Sequence, residues 1–451
     1  MLSKNQFINI HIDSISNDGN GVGRYEGMVV FVPCSAAGDL LKVKIVKTSK
    51  SHAYGIIDEI IEPSRSRVDP DCSVFGRCGG CAFRHINYSE ELTAKQNFVV
   101  DCLKHIGKLN VPVCMTVGSP SVTEYRNKAQ FPVIRKDESL EVGFFAARSH
   151  RIVPLDEDGC KLHSREMTNA ARKCADLLCQ AGLSVYDEIT HSGLLRHIVI
   201  RENSDGLMML ALVLNGKGFP GESDFTTGMV RLFPQIVSIL INRNCERTNV
   251  ILGDHTRAVY GGEYIIDSIS GIPSRLSLKS FFQINRGAAE FLYKIVRNYS
   301  AVDKNTTLLD LYCGVGSIGL SMAKTIKTLI GFDIVGEAIE DAKWSAKSIG
   351  ADNARFEVCD AAAAVESLLD AGENIDVAIA DPPRKGCDRA TLDVLSEIAP
   401  KRIIMVSCNP ATLARDLAHL AGRGYLIRKV TPVDMFPGTV HVECVALLEK
   451  L

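Results

Sequence analysis

The sequence of 451 residues lacks an uninterrupted apolar run of the roughly 20 residues that a transmembrane helix needs. Its opening stretch, MLSKNQFINIHI, lacks the apolar core of a secretory signal peptide. The chain also has no long internal repeat and no low-complexity tract. The chain is longer than one ordinary domain, so about two to four domains are expected. These features predict a multidomain, monomeric protein of the cytoplasm that binds no membrane.

A strong excess of charge is missing as well, since the formal net charge is −2. The molecule as a whole therefore gives no sign of a polyanionic partner, and any nucleic-acid surface must be local. Solvated strand and loop faces explain the basic runs equally well on charge alone. Two runs are candidates for such a surface: Lys42, Lys44, Lys47 and Lys50, and then Arg126, Lys128, Arg135 and Lys136.

The chain has fifteen cysteines, and so lacks the even set that a disulfide framework would use. In the reducing cytoplasm such thiols are buried packing groups, metal ligands or catalysts. Position and neighbours must decide which cysteines carry chemistry.

Sequence patterns divide the chain into regions of different character. Residues 1–61 alternate short β-rich runs with glycine turns, which predicts a small barrel or sandwich. The run EPSRSRVDP then indicates a linker. Residues 122–275 have strand patterns and one clear helix in SREMTNAARKCADLLCQAG, which indicates an α+β region. The last third repeats strand and helix, which predicts a parallel, doubly wound sheet followed by two final strands.

The segment DLYCGVGSIG places Gly314, Gly316 and Gly319 between a predicted strand and a predicted helix. Glycines at such a junction allow a tight turn and a close approach of the backbone to a ligand. Asp333 ends the next predicted strand about 20 residues later, where a carboxylate can accept hydrogen bonds from ribose hydroxyls. These features predict a nucleotide-cofactor site, and a dinucleotide is compatible with them.

Three further carboxylates favour S-adenosylmethionine over a dinucleotide. Asp310 lies beside the glycine loop, where it would repel a pyrophosphate. Asp360 and Asp381 fall at the ends of the third and fourth predicted strands, at the edge where open α/β sheets bind ligands. Several carboxylates around one crevice suit a ligand with a sulfonium and an ammonium group. A helix N-cap explains any one of these aspartates well, but explains the whole set poorly.

Cys408 lies in VSCNPATLARD, after an apolar strand and before a helix predicted to start near Ala411 or Thr412. The helix N-terminus is expected to lower the pKa of the thiol, although positioning must supply most of the rate. Beside a methyl donor, a thiolate can add to carbon 6 of a pyrimidine and make carbon 5 nucleophilic. An inert buried thiol is the general alternative, and the location at the sheet edge favours catalysis.

The same chemistry needs a base that removes the proton from carbon 5. Glu443, in FPGTVHVEC, lies on an otherwise apolar strand that can desolvate it enough to hold a proton. His441 is expected on the same face by the two-residue alternation of a strand. An exposed edge-strand carboxylate is the alternative for Glu443, and the presence of Cys408 decides against it.

A cysteine-rich passage, CSVFGRCGGCAF, spaces Cys72, Cys78 and Cys81 too closely for packing to explain. A fourth ligand is expected, and Cys160 in DEDGCKLH is the candidate because it too follows a glycine in a polar turn. Four thiolates could hold zinc or a [4Fe-4S] cluster. Zinc more usually has two paired C-x2-C hooks, so the spacing favours iron–sulfur.

The motifs FFQIN, DLYCGVG, DPPRKG, SCNPATLARD and FPGTVHVEC resemble those of RNA uracil-5 methyltransferases, which form 5-methyluridine in ribosomal or transfer RNA. The resemblance covers nearly the whole chain. It implies a TRAM domain, an OB-like RNA-binding barrel, at residues 1–61. It also implies a central α+β domain with the iron–sulfur site at 62–92 and 122–275. The remainder, 93–121 and 276–451, would be a Rossmann-like, class I α/β methyltransferase domain.

The resemblance also implies residue roles. Cys408 is the nucleophile, Glu443 is the proton acceptor, and Phe281 stacks on the target base. Arg126, from the second basic run, is expected to hold a flanking phosphate. The four cysteines named above resemble the family's [4Fe-4S] ligands. Pattern and resemblance together give the cofactor-binding residues as Gln283, Tyr312, Gly314, Asp333, Asp360 and Asp381; the family often has glutamate in place of Asp333.

Family members with the cluster mostly act on 23S ribosomal RNA, whereas those that act on transfer RNA often lack both cluster and TRAM domain. The resemblance therefore favours 23S ribosomal RNA, with transfer RNA as the alternative. Two rival functions remain. DPPR is similar to the DPPY type motif of amino-group methyltransferases, and a non-catalytic iron–sulfur RNA-binding protein would need no nucleophile.

Overall fold

A computed structural model describes residues 2–451 of the chain. The N-terminal part is a closed barrel of five strands in the order β1-β2-β3-β5-β4, as the strand pattern predicts. Ile8, Ile10 and Ile12 alternate inward along the first strand and are buried in the barrel. The strands are β1 (Phe7–Ile15), β2 (Gly21–Tyr25), β3 (Met28–Val32), β4 (Leu40–Thr48) and β5 (His52–Glu62).

Helix α1 (Tyr88–His105) follows the cysteine-rich passage. The side chain of Asn87 caps it by accepting a hydrogen bond from the main chain of its first turn. Val99 and Leu103 are buried in one core with residues of the C-terminal part, so the helix packs on that part. The predicted domain boundary at residues 92 and 93 falls inside this single helix.

The middle of the chain forms a seven-stranded sheet in the order β12-β11-β10-β9-β6-β7-β8. The predicted helix packs on it through buried residues such as Met167 and Leu178. A second helix was missed because it buries only Phe225 and Met229, too few for a clear pattern. The elements are β6 (Lys128–Lys136), β7 (Ser139–Phe145), β8 (Ile152–Pro154), α2 (Arg165–Gln180), β9 (Leu195–Glu202), β10 (Met208–Leu214), α3 (Glu222–Leu232), β11 (Ile236–Arg243) and β12 (His255–Gly261).

A separate two-stranded hairpin, β13 (Tyr264–Ile269) and β14 (Ile272–Ser277), follows the central sheet. Its buried residues Ile265 and Leu276 join a core that contains residues of both the central sheet and the C-terminal part. The hairpin therefore packs between the two sheets and leads into the FFQIN motif.

The C-terminal part is a seven-stranded sheet in the order β17-β16-β15-β18-β19-β21-β20, with five parallel strands. The two final strands pair antiparallel as predicted, but β21 lies between β19 and β20 and is not an edge strand. A short 3-10 helix covers Ala323–Thr325. The other elements are α4 (Arg286–Ser300), β15 (Thr307–Leu311), α5 (Ser317–Leu320), β16 (Thr328–Asp333), α6 (Gly336–Ser348), β17 (Ala354–Val358), α7 (Ala361–Asp370), β18 (Val377–Ala380), α8 (Arg389–Ile398), β19 (Arg402–Ser407), α9 (Pro410–Ala421), β20 (Tyr425–Val433) and β21 (Glu443–Lys450).

Strand order reverses in this sheet between β15 and β18, and open α/β sheets bind ligands at the carboxyl edge beside such a reversal. DLYCGVG, DPPRKG and SCNPATLARD follow or end β15, β18 and β19, so all three motifs meet at this edge. Within the described part of the chain, no helix has the length and apolar composition that crossing a bilayer would require.

Candidate active site

Cys408 and Glu443 lie next to each other at the carboxyl edge of the C-terminal sheet. Ser407 on β19 pairs with Cys444 on β21 in antiparallel register, which places the following Cys408 opposite the preceding Glu443. Cys408 is partly exposed, whereas Glu443 is 8% exposed. The fold thus brings together the predicted nucleophile and the predicted proton acceptor, and leaves the thiol as the more accessible of the two.

The residues after Cys408 anchor the DPPRKG loop beside it. Asn409 caps α9, and its side-chain amide donates to the main-chain oxygen of Arg384 at 3.0 Å. Asp416, two turns along the same helix, accepts from the main-chain N–H of Cys387 at 2.9 Å. Polar residues therefore recur along the helix in NPATLARD because they hold the neighbouring loop in place.

The two predicted catalytic groups have raised pKa values. Burial, with a further rise from Asp381 and an opposing effect of Arg384, raises the pKa of Glu443 to about 8. Burial also raises the pKa of the Cys408 thiol, and Glu443 and Asp381 add to the rise. The expected lowering of the thiol pKa by the helix N-terminus is therefore wrong for the ligand-free protein, because burial and nearby acidic groups outweigh the helix. A carboxyl whose pKa lies close to the working pH suits an acceptor role, provided that it is ionised before the transfer.

The glycine loop after β15 is tied to Asp333. One carboxylate oxygen of Asp333 accepts from the N–H of Gly314 at 2.9 Å, and the other accepts from the main chain two residues on. Tyr312 has a φ of 60°, which is unfavourable for a residue other than glycine and typical of binding loops. Gly316 has a φ of 74°, and a Cβ there would lie 2.9 Å from the ring of Phe356. The loop therefore requires glycine at 316.

Two more of the predicted carboxyls belong to the same crevice. Asp310 is 1% exposed and accepts from the N–H of Gly319 at 3.0 Å. Asp381 directly follows β18. Burial raises the pKa of both to about 7. A cationic ligand would favour their ionised forms, so the crevice suits a sulfonium compound better than a pyrophosphate.

The remaining predicted cofactor and base contacts lie in three different surroundings. Asp360 caps α7, and one of its carboxylate oxygens accepts from the N–H of Ala362 at 3.0 Å. Gln283 lies in the loop after the hairpin, where its main-chain oxygen accepts from the side chain of Asn127 at 2.9 Å. Phe281, two residues earlier, is 74% exposed. An exposed ring of this kind is available for stacking.

The turn before Glu443 is held by residues far away in sequence, which local patterns did not reveal. The N–H of Gly438 donates to the carboxylate of Glu91, on α1, at 2.7 Å. The hydroxyl of Tyr125 donates to the main-chain oxygen of Pro437 at 2.9 Å. The position of this turn therefore depends on contacts from the first third of the chain.

The cysteine-rich passage contacts the same turn directly. The main-chain N–H groups of Ala82 and Phe83 donate to the oxygen of Gly438 at 2.7 and 3.1 Å. Gly438 has a φ of 79°, a conformation that favours glycine. The passage that contains Cys72, Cys78 and Cys81 is thus hydrogen-bonded to Gly438, which precedes Glu443 by five positions.

The four predicted metal ligands line one pocket of about 80 Å³. Burial, together with the neighbouring cysteines, raises the pKa of Cys81 to about 12 and that of Cys160 to about 11. Thiols in such surroundings need bound cations to stay ionised. The pocket contains Cys72, Cys78, Cys81 and Cys160.

Within residues 2–451, no three or more His, Cys, Asp or Glu side chains are arranged to hold one metal ion. A [4Fe-4S] cluster makes a different demand because its four irons spread the thiolates apart. The four-thiol lining of the pocket fits this group in the kind and number of its donors.

Arg126 lies beside the cysteine pocket and close enough to His441 to affect its pKa. It lines the pocket, and its Nε is buried without a hydrogen-bond partner. Burial lowers the pKa of His441, and the positive charges of Arg384 and Arg126 lower it further. His441 precedes β21, so the strand alternation expected to place it beside Glu443 does not apply.

Known proteins match the chain in sequence and in structure. The TRAM domain family matches residues 3–57, and the tRNA (uracil-5-)-methyltransferase family matches residues 274–451. An uncharacterized RNA methyltransferase of Halalkalibacterium halodurans is 40% identical over 450 residues, 99% of this chain and 98% of that protein. An uncharacterized RNA methyltransferase of Listeria monocytogenes is 38% identical over 449 residues, 99% of this chain and 98% of that protein.

One solved structure is similar over almost the whole molecule. The Pyrococcus abyssi tRNA (uracil-54, C5)-methyltransferase, crystallised with S-adenosyl-L-homocysteine, matches with a TM-score of 0.75 and 28% identity. The match covers 98% of this chain and 100% of that chain. Because barrel, C-terminal fold and motifs all agree, the chain belongs to the family of S-adenosylmethionine-dependent RNA uracil-5 methyltransferases.

Proposed function

We propose that the enzyme methylates carbon 5 of a uridine in 23S ribosomal RNA through a covalent bond between Cys408 and carbon 6 of the base. The observation that supports this most is the adjacency of Cys408 and Glu443 at the carboxyl edge of the sheet. Neither methylation of an exocyclic amine nor RNA binding alone would need a thiol beside a buried carboxyl.

The two residues divide the reaction between them. The thiolate of Cys408 forms a bond to carbon 6 as the double bond between carbons 5 and 6 opens. Carbon 5 then takes the methyl group from the sulfonium of the donor, whose carbon–sulfur bond breaks to leave the neutral thioether S-adenosylhomocysteine. Glu443 then accepts the proton from carbon 5, the double bond between carbons 5 and 6 re-forms, and the bond to sulfur breaks. A positive sulfonium near Asp381 would oppose the electrostatic rise in the pKa of Cys408.

S-adenosylmethionine occupies the crevice at the glycine loop in this proposal. Asp333 is free to accept from ribose hydroxyls with lone pairs that its two main-chain contacts leave open. Asp381 and the buried Asp310 supply negative charge for the cationic end of the donor. The full set of cofactor contacts is Gln283, Tyr312, Gly314, Asp333, Asp360 and Asp381.

The four cysteines of the pocket hold a [4Fe-4S] cluster in this proposal. The cluster would supply thiolate–iron bonds that join the loop of Cys81 to Cys160, and no reaction step passes through it. Anaerobically purified protein should be brown, and its visible absorption should bleach on cluster loss. A colourless protein that contains zinc would contradict this assignment.

Phe281 and Arg126 contact the RNA. The target uracil must leave its stack to reach Cys408, which costs a few kcal/mol and least in a loop. The exposed ring of Phe281 stacks on the base, and the partly exposed side chain of Arg126 meets a flanking phosphate. The basic run of the barrel supplies further phosphate contacts.

Transfer RNA is the second candidate substrate, and one observation favours it. The Pyrococcus abyssi enzyme that matches 98% of this chain is a transfer RNA methyltransferase. The cysteine set, which in the family accompanies action on 23S ribosomal RNA, supports the first candidate. Mapping 5-methyluridine in total RNA from a deletion strain distinguishes them, because the modification disappears from one RNA class only.

The proposal includes a division of the chain into a TRAM barrel at 1–61, a central domain at 62–92 and 122–275, and a catalytic domain at 93–121 and 276–451. Helix α1 crosses the boundary at 92 and counts as a whole with the catalytic domain on which it packs. It also includes a cytoplasmic monomer. Size-exclusion chromatography with light scattering tests the monomer.

The covalent step has a direct test. RNA that carries 5-fluorouridine has no proton on carbon 5, so incubation with S-adenosylmethionine should trap the enzyme on the RNA. Cys408→Ala should abolish the trapped complex, and Cys245→Ala, which changes an exposed cysteine, should leave it unchanged. Undiminished methylation by Cys408→Ala would remove this mechanism and favour an amino-group methyltransferase. RNA binding without any methyl transfer by the wild type would favour the iron–sulfur RNA-binding protein.

A further inference from the structure

Two cations face each other on neighbouring strands of the central sheet. Lys128 on β6 is the direct register partner of Arg201 on β9. Directly opposed residues of an antiparallel pair point to the same face, about 4.5–5.5 Å apart at their Cβ atoms. On the same sheet face, Val199 and Met209 join the core shared with the hairpin and the C-terminal part. The two cations therefore point toward the catalytic domain.

Neither cation has an acidic partner in the part of the chain that the structure describes. Within residues 2–451, no carboxylate lies within 4.0 Å of the charged nitrogens of Lys128 or Arg201. Arg201 is 3% exposed, and it donates to the main-chain oxygens of Leu278 and Ser280. Its Nε is buried and has no hydrogen-bond partner among residues 2–451. In the described part of the chain, the pair is thus a largely buried concentration of positive charge without a counter-charge.

Such an arrangement is costly for the free protein. Burial and the charge of Arg201 together lower the pKa of Lys128 to about 8, and burial lowers the pKa of Arg201 to about 10. Like charges side by side are destabilising, and a buried charge without a partner more so. A structure that keeps both cations gains from any anion that reaches them.

The pair is next to the predicted base-stacking residue. Arg201 holds the main chain of Ser280, which precedes the exposed Phe281. Asn127, adjacent to Lys128, donates to the main-chain oxygen of Gln283. Lys128 itself is partly exposed. A phosphate next to a base that stacks on Phe281 can therefore reach the pair. The carboxylate of a cofactor bound at Gln283 can reach it as well.

We propose that Lys128 and Arg201 form an oxyanion-binding subsite of the catalytic cleft, occupied by a phosphate of the RNA next to the target nucleotide. The carboxylate of S-adenosylmethionine is the other source of the same chemistry. The subsite rests on the proposed function, since that function brings both oxyanions into the cleft. In this role Lys128 supplies the mobile ammonium, and Arg201 fixes the loop of Phe281 while adding its charge.

The test measures binding rather than turnover. Lys128→Gln removes the charge and keeps most of the side-chain length, Lys128→Arg keeps the charge, and Lys347→Gln repeats the first change on the exposed last turn of α6. RNA affinity is measured from low to moderate salt, and S-adenosylmethionine affinity by calorimetry. The thermal midpoint of each variant is recorded as well, and Lys128→Gln should not lower it because a like-charge contact disappears.

A phosphate in the subsite predicts that Lys128→Gln weakens RNA binding about tenfold and reduces the salt slope by roughly 0.7, the value for one contact to single-stranded RNA. Lys128→Arg should restore both, and S-adenosylmethionine affinity should stay constant. A loss of S-adenosylmethionine affinity with an unchanged salt slope would assign the subsite to the donor carboxylate. Unchanged affinities for both ligands, or equal losses in Lys347→Gln, would overturn the subsite.

Trapping on 5-fluorouridine RNA is scored in the same samples to separate the two proposals. If the wild type is trapped but Lys128→Gln binds both ligands normally, only the subsite fails. If Lys128 contributes to binding but no complex is trapped, the covalent mechanism fails and the subsite remains.

Discussion

The ammonium of Lys95 lies 2.6 Å from the carboxylate of Asp434, although the two residues are 339 positions apart in sequence. The same ammonium donates to Glu91 at 2.7 Å and to the main-chain oxygen of Phe436 at 3.2 Å. Both side chains of the Lys95–Asp434 pair are almost fully buried. This cluster fastens helix α1 to the segment that leads to Glu443, and so joins the start of the chain to its catalytic end.

Replacing Lys95 with methionine should strongly destabilise the protein, because Asp434 and Glu91 would be left buried without their cation. Breaking a buried pair by removing one partner costs about 3–5 kcal/mol. Denaturant unfolding measures this change. Lys343→Met, which removes the exposed partner of Glu340, should cost at most about 1 kcal/mol. Similar losses of unfolding free energy in the two variants would show that the buried cluster stabilises the fold no more than a surface ion pair does.

Removing the hydroxyl of Tyr125 should slow release of the methylated RNA more than its capture. Tyr125→Phe loses the hydrogen bond to Pro437 and so loosens the turn before Glu443. In the proposed mechanism Glu443 accepts the proton of carbon 5 after methyl transfer, so the later step is affected. One hydrogen bond is worth about 0.5–1.5 kcal/mol, so the covalent intermediate should decay about 2- to 13-fold more slowly. Single-turnover quenching measures its formation and decay separately.

Tyr425→Phe is the matched control, since its hydroxyl donates to the main-chain oxygen of Pro400 at 3.0 Å. That contact lies at the opposite end of the C-terminal sheet, where β19 begins. If Tyr425→Phe slows decay as much as Tyr125→Phe, general loosening of the fold explains the effect.

The C-terminal sheet could be predicted because its signals are local. Three of the parallel strands, β15, β16 and β18, are short apolar runs with a glycine or an aspartate at or shortly after their end, where the chain turns toward a helix. Cys408, Asp333 and Asp381 could be placed at one edge for the same reason, since the carboxyl ends of parallel strands meet there. The cysteine pocket could be predicted from the close spacing of three thiols.

Contacts between distant segments could not be predicted. Tyr125 and Glu91 carry no pattern that points to the turn near Gly438, because the hydrogen bonds exist only after the domains pack. The raised pKa of Cys408 was missed for a similar reason: burial and the nearby Glu443 are tertiary properties. The failure at His441 is different, since residues 434–442 form a loop, with a turn at 437–438, in place of the expected strand.

The decay of the covalent intermediate should accelerate as pH rises and level off above about 8. Burial raises the pKa of Glu443 to about 8, so below that pH most of the carboxyl is protonated and cannot accept the proton of carbon 5. Glu443→Gln should still form the intermediate, but decay should be about 10²- to 10⁴-fold slower and independent of pH. Rapid quenching between pH 6 and about 9 measures both enzymes. Normal turnover by Glu443→Gln would remove Glu443 from the mechanism.

Tyr54 should contribute to RNA binding through the barrel. Its ring stacks on Phe31 with centroids 5.4 Å apart, and the ring of His52 meets both edge-on, so three partly exposed aromatic rings form one surface. Aromatic rings in barrels of this kind stack on bases, and each stacked base is worth about 1–3 kcal/mol. Tyr54→Leu should therefore weaken RNA binding by that amount and leave S-adenosylmethionine affinity unchanged. Tyr260→Leu, at an exposed position on the edge of the central sheet, is the control. Because the barrel lies outside the catalytic domain, Tyr54→Leu should raise the KM for RNA and leave unchanged the rate at which bound RNA forms the trapped covalent complex. An equal KM in Tyr54→Leu and Tyr260→Leu would exclude this surface from RNA recognition.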